Sequence, residues 1–279
     1  MNKVVSDYYD YTLPFYKFFW HKNAESYALH YGFWERDSNN LQEALLNTNK
    51  FLAEKAHITS GDAVLDAGCG VGGSSIWLAK NFKVNVTGIS ISEKQISEAK
   101  RLAAKNSVSK LIGFFVSDYL KTDFKSNSYD VVWAIESVCH ANNKKDFLKE
   151  AYRLLKKGGR LIIADGFRSR EPKNDKEKQI LHDFTEGFAL PNLALSENFK
   201  KSMSDVGFSN IKFWNKTKEV LPSSKKLFDM CKFGYPIAKI TEKLHLTSPI
   251  LTKNNLAGVV QYEAVKTGFG IYGVLYGVK

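Results

Sequence analysis

Ala63-Val64-Leu65-Asp66-Ala67-Gly68-Cys69-Gly70-Val71-Gly72-Gly73 decides the fold of this 279-residue chain. Its first four residues read as a buried strand ending at an acid. The glycines read as a turn, and Ser74 to Asn81 as a helix. A nucleoside ligand needs this order of parts. Glycine lets the backbone approach the ligand and take positive φ, and the helix N-terminus offers N–H groups without intrahelical partners.

As G-x-G-x-x-G through Gly68, Gly70 and Gly73, the loop also fits a dinucleotide fingerprint. Two features favour a different ligand. Asp66 stands two residues before the first glycine, where a carboxylate suits an ammonium group better than a pyrophosphate. The acid that a NAD site places on its ribose about twenty residues later is missing, because Thr87-Gly88-Ile89-Ser90 offers only hydroxyls. A structural turn, a non-catalytic nucleotide-binding module and an NAD-dependent oxidoreductase are the alternatives.

Outward from the loop, short apolar runs alternate with longer amphipathic ones. Val84 to Ile89, Ile112 to Val116, Asp130 to Ile135 and Arg160 to Asp165 read as strands. Ser92 to Asn106 and Asn143 to Leu155 read as helices. The alternation predicts an α/β fold, a doubly wound, mostly parallel seven-stranded sheet with a mainly helical cap. Phe208 to Trp214 and Gly268 to Val278 complete the seven, pairing at one edge with the last strand antiparallel. With no repeat or linker in sight, the chain is expected to form one domain. Its parts are an N-terminal aromatic lid (1–45), a cofactor-binding core (62–167), cap insertions (168–262) and a C-terminal edge strand (263–279).

Composition narrows the function. The net charge of +11 comes from 40 basic against 29 acidic residues. The lysines are scattered over stretches such as 94–110 and 144–157, and no nucleic-acid-binding motif accompanies them. A nucleic-acid partner is therefore not expected, and the charge leans toward an anionic or membrane-held small molecule. Cys69, Cys139 and Cys231 are far apart and form no C-x-x-C pair, which argues against a disulfide framework or a zinc site. No apolar run approaches the roughly 18–20 residues of a membrane span, and the first residues lack a signal-peptide core. A cytoplasmic protein without a metal or a transmembrane segment is the expectation.

Val64 to Gly73 resembles the signature of the class I S-adenosylmethionine-dependent methyltransferases. Leu65 to Gly73, Thr87-Gly88-Ile89-Ser90-Ile91-Ser92-x-x-Gln95 and Ala134-Ile135-Glu136-Ser137-Val138-Cys139-His140-Ala141 are similar to one branch of them. That branch holds the sterol, tocopherol and prenyl-diphosphate C-methyltransferases and, more distantly, the cyclopropane fatty-acid synthases. Tyr8-Tyr9, His30-Tyr31-Gly32-Phe33-Trp34, Pro191-Asn192 and the tail from Asn255 extend the likeness over nearly the whole chain.

The resemblance implies S-adenosyl-L-methionine as cofactor, its methionyl part held by Asp66, Gly68 and Gly70. Ser90 stands where most class I enzymes carry a ribose-binding acid. The fatty-acid branch shares that departure and uses a hydroxyl and Gln95, beside Ile91. Ser92-x-x-Gln95 is equally a capping box opening a helix. Asp118, followed by Tyr119, sits where an acid accepts from the adenine amino group, and it also suits a helix N-cap. Glu136 and His140 follow the fourth strand at its carboxyl end, where ligands bind in doubly wound sheets. Glu136 counts as a cofactor contact and, with His140, as a catalytic residue. His140 is the better base because its ordinary pKa lies near working pH. Cys139 occupies a position where some relatives carry a glutamate, which puts a carboxylate base there in doubt.

Tyr8, Tyr9, Tyr11, Phe15, Tyr16, Phe18, Phe19 and Trp20 are too many aromatics for a solvent-exposed arm. They suit a helix packed on the core, or a lid that closes over the methyl donor. Tyr8 and Tyr9 are the candidates for lining a cationic centre, a contact contributing about 2 kcal/mol or more when desolvated. Together these readings favour carbon methylation of a small lipophilic, isoprenoid-like acceptor. Nitrogen or oxygen methylation of a small amine or natural product is the alternative.

Overall fold

The computed structural model describes residues 2–20 and 26–279, the side chains of Asn2, Lys17 and Phe19 apart. Strand β1 (Ala63–Ala67) lies near the middle of a seven-stranded sheet, with β2 (Asn85–Ser90), β3 (Ile112–Val116), β4 (Tyr129–Ile135), β5 (Leu155–Arg168), β6 (Ser209–Asn215) and β7 (Gly270–Val278). The order is β3-β2-β1-β4-β5-β7-β6. Strands β1 to β5 pair in parallel, and β7 runs antiparallel to both of its neighbours.

Adjacent residues of one strand serve opposite faces, so both must be apolar when both faces are covered. Val64, Val131 and Trp133 pack with Ile76, Leu78, Ile96 and Leu102 on one side. Leu65, Val132 and Ile163 pack with Phe147, Leu148 and Phe199 on the other. The first set of helical residues comes from α3 (Gly73–Phe82) and α4 (Glu93–Lys105). The second comes from α5 (Lys144–Leu154) and α7 (Ser196–Val206). Each such side chain contributes roughly 1.5–3 kcal/mol by leaving water. The turn from β1 into α3 requires glycine at Gly72, which has φ +82°, and a Cβ there would lie 2.6 Å from the Phe114 ring.

Two expectations are corrected. The C-terminal strand is not an edge strand, because β7 is inserted between β5 and β6. Its nine register pairs with β5 bury it almost throughout, while the strand at the edge is β6, exposed at Ser209, Asn210 and Lys212. Residues 263–266 belong to helix α9 (Pro249–Lys266) rather than to the strand. Nor are all of residues 168–262 a cap. Helix α7 lies against α5 beneath the sheet, with Phe199 and Met203 in the core.

The cap consists of α1 (Asn2–Phe19), α6 (Asp175–Gly187), α8 (Thr217–Lys243) and α9, while α2 (Leu41–Lys55) covers one sheet face with Leu52 and Ala53. Strand order reverses between β2-β1 and β4, which opens a crevice beyond the carboxyl ends of β1 and β4. Helix α1 spans that crevice and is tied to the elements around it by hydrogen bonds. Asn254 Nδ2 donates to Tyr8 Oη at 2.7 Å, Ser248 N to Tyr11 Oη at 3.0 Å, and Ser92 Oγ to Asp10 Oδ1 at 2.5 Å. The N-terminal aromatics are therefore both a packed helix and the roof of the crevice; the Phe19 side chain and residues 21–25 of the expected lid lie outside the described residues.

Candidate active site

The crevice is a cavity of about 310 Å³, and every residue singled out above for cofactor binding or catalysis lines it. Asp66 ends β1 with its side chain buried. Ser75 Oγ donates to Asp66 Oδ2 at 2.5 Å, and burial raises the carboxyl to about 6. Gly68 has φ +91°, and a Cβ there would meet Ser137 at 2.4 Å. Ser137 in turn donates to Ala67 O at 2.7 Å, locking the glycine loop to the end of β4. Backbone is thus the wall of the cavity beside Asp66, which fits a bulky ligand carrying an ammonium group.

At the end of β2, Ser90 Oγ donates to Gln95 Oε1 at 2.7 Å and accepts from Ser92 N at 3.1 Å. Ser92 caps α4 by accepting from Gln95 N at 3.1 Å. Only half of the expected capping box forms, because the Gln95 side chain turns to Ser90 instead of back to the Ser92 N–H. This leaves a hydroxyl–amide pair at the ribose position. Asp118 opens a turn rather than a helix: its Oδ1 accepts from Leu120 N at 2.8 Å. Tyr119 Oη donates to Ser137 O at 2.8 Å.

Beyond β4 lies the group of residues suited to chemistry. Glu136 has φ +45°, a left-handed conformation that a non-glycine residue holds at some cost in strain. Its Oε1 accepts from Tyr31 N at 2.8 Å and from Tyr272 Oη at 2.9 Å. Burial outweighs both bonds and pushes the carboxyl up to about 8. His140 moves the other way, down to about 4, because burial penalises imidazolium. Its Nδ1 faces Ala189 O at 3.3 Å and its Nε2 faces Tyr9 Oη at 2.8 Å. A carbonyl can only accept, so Nδ1 carries the proton, and Nε2 accepts from Tyr9. Tyr8 stands edge-on to Tyr9, the ring centroids 5.1 Å apart.

Three contributors escaped the sequence reading. Asp165, buried at the end of β5, accepts from Cys139 N at 2.9 Å, and burial raises its carboxyl. A carboxyl group therefore does stand beside Cys139, supplied by another strand. The Cys139 thiol is pushed far up by burial and the nearby Asp165, which keeps it protonated and unsuited to nucleophilic work. The signal for Asp165 was present, since Leu161-Ile162-Ile163-Ala164-Asp165 repeats the apolar-run-then-acid pattern of β1. Tyr272, reaching Glu136 from β7, gave no local signal. His30, of the His30-Tyr31-Gly32-Phe33-Trp34 run, is buried and lines the cavity, and its Nε2 has no hydrogen-bond partner among the described residues. Asp66, Glu136 and Asp165 give the lining three buried carboxyl groups, an environment matched to a cation.

A family model described as a methyltransferase domain matches residues 65–163. Cycloartenol-C-24-methyltransferase 1 of Oryza sativa subsp. japonica is 34% identical over 218 residues, covering 76% of this chain and 60% of the relative. Cycloartenol-C-24-methyltransferase of Arabidopsis thaliana is 32% identical over 242 residues, covering 82% of this chain and 69% of the relative. In fold, the chain is similar to the cyclopropane synthase MmaA2 from Mycobacterium tuberculosis. The TM-score is 0.85 at 14% identity, over 100% of this chain and 98% of that one.

The chain belongs to the class I S-adenosylmethionine-dependent methyltransferases. Within them its relatives by sequence include sterol C-methyltransferases, it shares its fold with a cyclopropane synthase, and S-adenosylmethionine is its cofactor. It spans only about 60% of the length of the rice relative.

Proposed function

We propose that the protein methylates a carbon atom of a small, uncharged, lipophilic acceptor of isoprenoid type. The observation that carries this reading is the make-up of the cavity beyond Glu136. Tyr8, Tyr9, Tyr16, Phe184, Phe188 and Leu190 line it, so aromatic and aliphatic groups surround a region whose buried carboxyl groups suit positive charge. The relationship to enzymes named for methylating C-24 of cycloartenol supports it.

In this reading Asp66 binds the cofactor's ammonium group, Gly68 and Gly70 admit its methionyl chain, Ser90 and Gln95 hold its ribose, and Asp118 its adenine. Ile91 and Tyr119 flank it. When bound, the cofactor supplies an electrophilic methyl group on a sulfonium. Tyr8 and Tyr9 present ring and hydroxyl to the acceptor, and α1 above them keeps water from the reaction. An alkene carbon that gains a methyl group leaves its neighbour cationic, and the cation must lose a proton to restore the double bond. Tyr9 Oη takes that proton while its own passes to His140 Nε2, and the hydrogen bond to Ala189 O steadies the resulting imidazolium. A carbocation is so strong an acid that a base of pKa about 4 suffices. Glu136, protonated at neutral pH in the cofactor-free protein, fixes the Tyr31 backbone and Tyr272. Its ionised form adds negative charge beneath the cation once a positive ligand draws off its proton.

Transfer of radiolabelled methyl groups from S-adenosylmethionine, partitioned between organic and aqueous phases over sterol, prenyl, quinol and amine acceptors, tests the reading. Label in the organic phase, on carbon, is expected. Label confined to water-soluble amines would overturn it.

A further inference from the structure

The outer surface of α8 carries a row of large apolar side chains with no work in the fold. Phe233, Ile237, Ile240 and Leu244 recur at three- and four-residue spacing, which places them on one side of a helix. They and Leu246, just past the helix end, are 60–75% exposed. The opposite side of α8 is the packed one: Cys231 lies against Gly258 of α9, and Gly234 against Asn255. Monomeric soluble proteins rarely leave so many large apolar groups contiguous and exposed, and such patches mark interaction surfaces.

The charges beside the exposed apolar residues are mainly lysines. Lys232, Lys239 and Lys243 are exposed and follow one another at seven- and four-residue intervals, forming a second row along the flank of the apolar one, whereas Lys225 further back is paired with Asp229. From Met230 to Ile250 three lysines face a single acid, Glu242, in a chain of net charge +11. An apolar row flanked by lysines on a helix lying along the surface is the pattern of an interfacial helix, which sinks its apolar side chains among acyl chains and sets its lysines among anionic headgroups.

Its position gives it a use. The segment that follows α8 joins the roof of the cavity, since Ser248 N donates to Tyr11 Oη at 3.0 Å and Asn254 to Tyr8 Oη at 2.7 Å. Phe15, partly exposed, lies tilted beside Tyr11 with ring centroids 6.1 Å apart, and Tyr11 meets Ser248 just past the α8 row.

We propose that the outer face of α8, from Phe233 to Leu246, docks the protein on an anionic lipid bilayer beside the cavity roof. The occupant is a membrane surface rather than another protein, because Lys232, Lys239 and Lys243 complement headgroup charge alongside Phe233 to Leu246. A second copy of this chain would instead bring like charges together. Docking there holds the roof, and the cavity beneath it, against the phase in which a lipophilic acceptor dissolves.

Co-sedimentation with vesicles of pure phosphatidylcholine and of phosphatidylcholine with phosphatidylglycerol tests this without any methyl transfer, so its failure leaves the proposed activity standing. The full chain is expected to pellet with the anionic vesicles and to stay in solution with the neutral ones. Ile237→Glu with Ile240→Glu should reduce binding more than tenfold. Lys239→Glu and Lys243→Glu should each lower it about fivefold or more, and added salt should do the same. Calorimetry showing unchanged affinity for S-adenosylhomocysteine certifies that the variants are folded. No binding to anionic vesicles would overturn the proposal, as would binding insensitive to these substitutions. Sedimentation velocity showing patch-dependent dimers and no vesicle binding would overturn it in favour of a second copy.

Discussion

Glu136→Gln is the substitution whose effect the structure fixes most closely. Burial holds the Glu136 carboxyl at about 8, against 4.5 for an ordinary glutamate. In the unfolded chain the group ionises near 4.5, whereas in the folded, cofactor-free protein it stays protonated to about 8. Between those values the folded state holds the extra proton, so its stability falls as pH rises, by about 1.4 kcal/mol per pH unit. The window of 3.5 units gives a ceiling of about 5 kcal/mol, present in full from pH 8 upward and absent below 4.5. Glutamine does not ionise and escapes this loss. It retains an oxygen for Tyr31 N and Tyr272 Oη but brings an amide N–H₂ that needs partners, a pH-independent cost of about 1–3 kcal/mol. The stability of the variant minus that of the parent should therefore climb with pH from 5 to 8 and then level off. With about 2 cal/mol/K of unfolding entropy per residue, 5 kcal/mol corresponds to roughly 8 °C in Tm for this chain. Thermal and urea denaturation without cofactor, at unit steps from pH 5 to 9, measure it. A difference that is flat across pH would refute the argument, since it would mean that Glu136 is ionised in the fold at neutral pH.

The remaining predictions concern the cofactor and the base. Asp66→Ala should abolish S-adenosylhomocysteine binding in calorimetry; for the unaltered protein, affinity should fall about tenfold per unit below pH 6, where Asp66 takes up its proton, and an affinity level from pH 7 to 5 would remove the ion pair from the account. Gly68→Ala forces a Cβ to 2.4 Å from Ser137 at φ +91°, so cofactor affinity should drop at least tenfold and partly return in Gly68→Ala with Ser137→Gly. His140→Ala should slow the chemical step by about 10² to 10⁴ with cofactor binding nearly intact. Tyr9→Phe should slow it too, and the pair together little more than His140→Ala alone; additive losses in single-turnover rates would show that the two do not act as a unit. The single-turnover rate should be level from about pH 5.5 to 7, because His140 is already neutral there. A tenfold rise per pH unit up to 8 would transfer the role of base to Glu136.

Much of this architecture was written locally. Apolar runs such as Val64-Leu65 and Val131-Val132-Trp133 became interior strands because both faces of the sheet are covered, and the glycines after Asp66 had no other economical use than a tight turn into a helix. The same local logic brought the cofactor residues to one place, since the carboxyl ends of parallel strands are adjacent wherever strand order reverses. What the chain itself did not disclose depends on partners distant in sequence. Whether β7 forms the edge is decided by which strands hydrogen-bond along its two sides, not by its alternation. Glu136 and His140 looked alike as candidate bases. Burial drives their carboxyl and imidazole to opposite protonation states, against the hydrogen bonds of Tyr31 and Tyr272 to the one and of Ala189 to the other. Residues that read simply as helical between 220 and 262 separate, once folded, into an inner face packed on α9 and an outer face left apolar beside lysines. Composition and spacing determined the class of fold and the cofactor loop. Only the tertiary structure, by excluding water from some groups and leaving others exposed, decided which acids keep their protons and which apolar rows face outward.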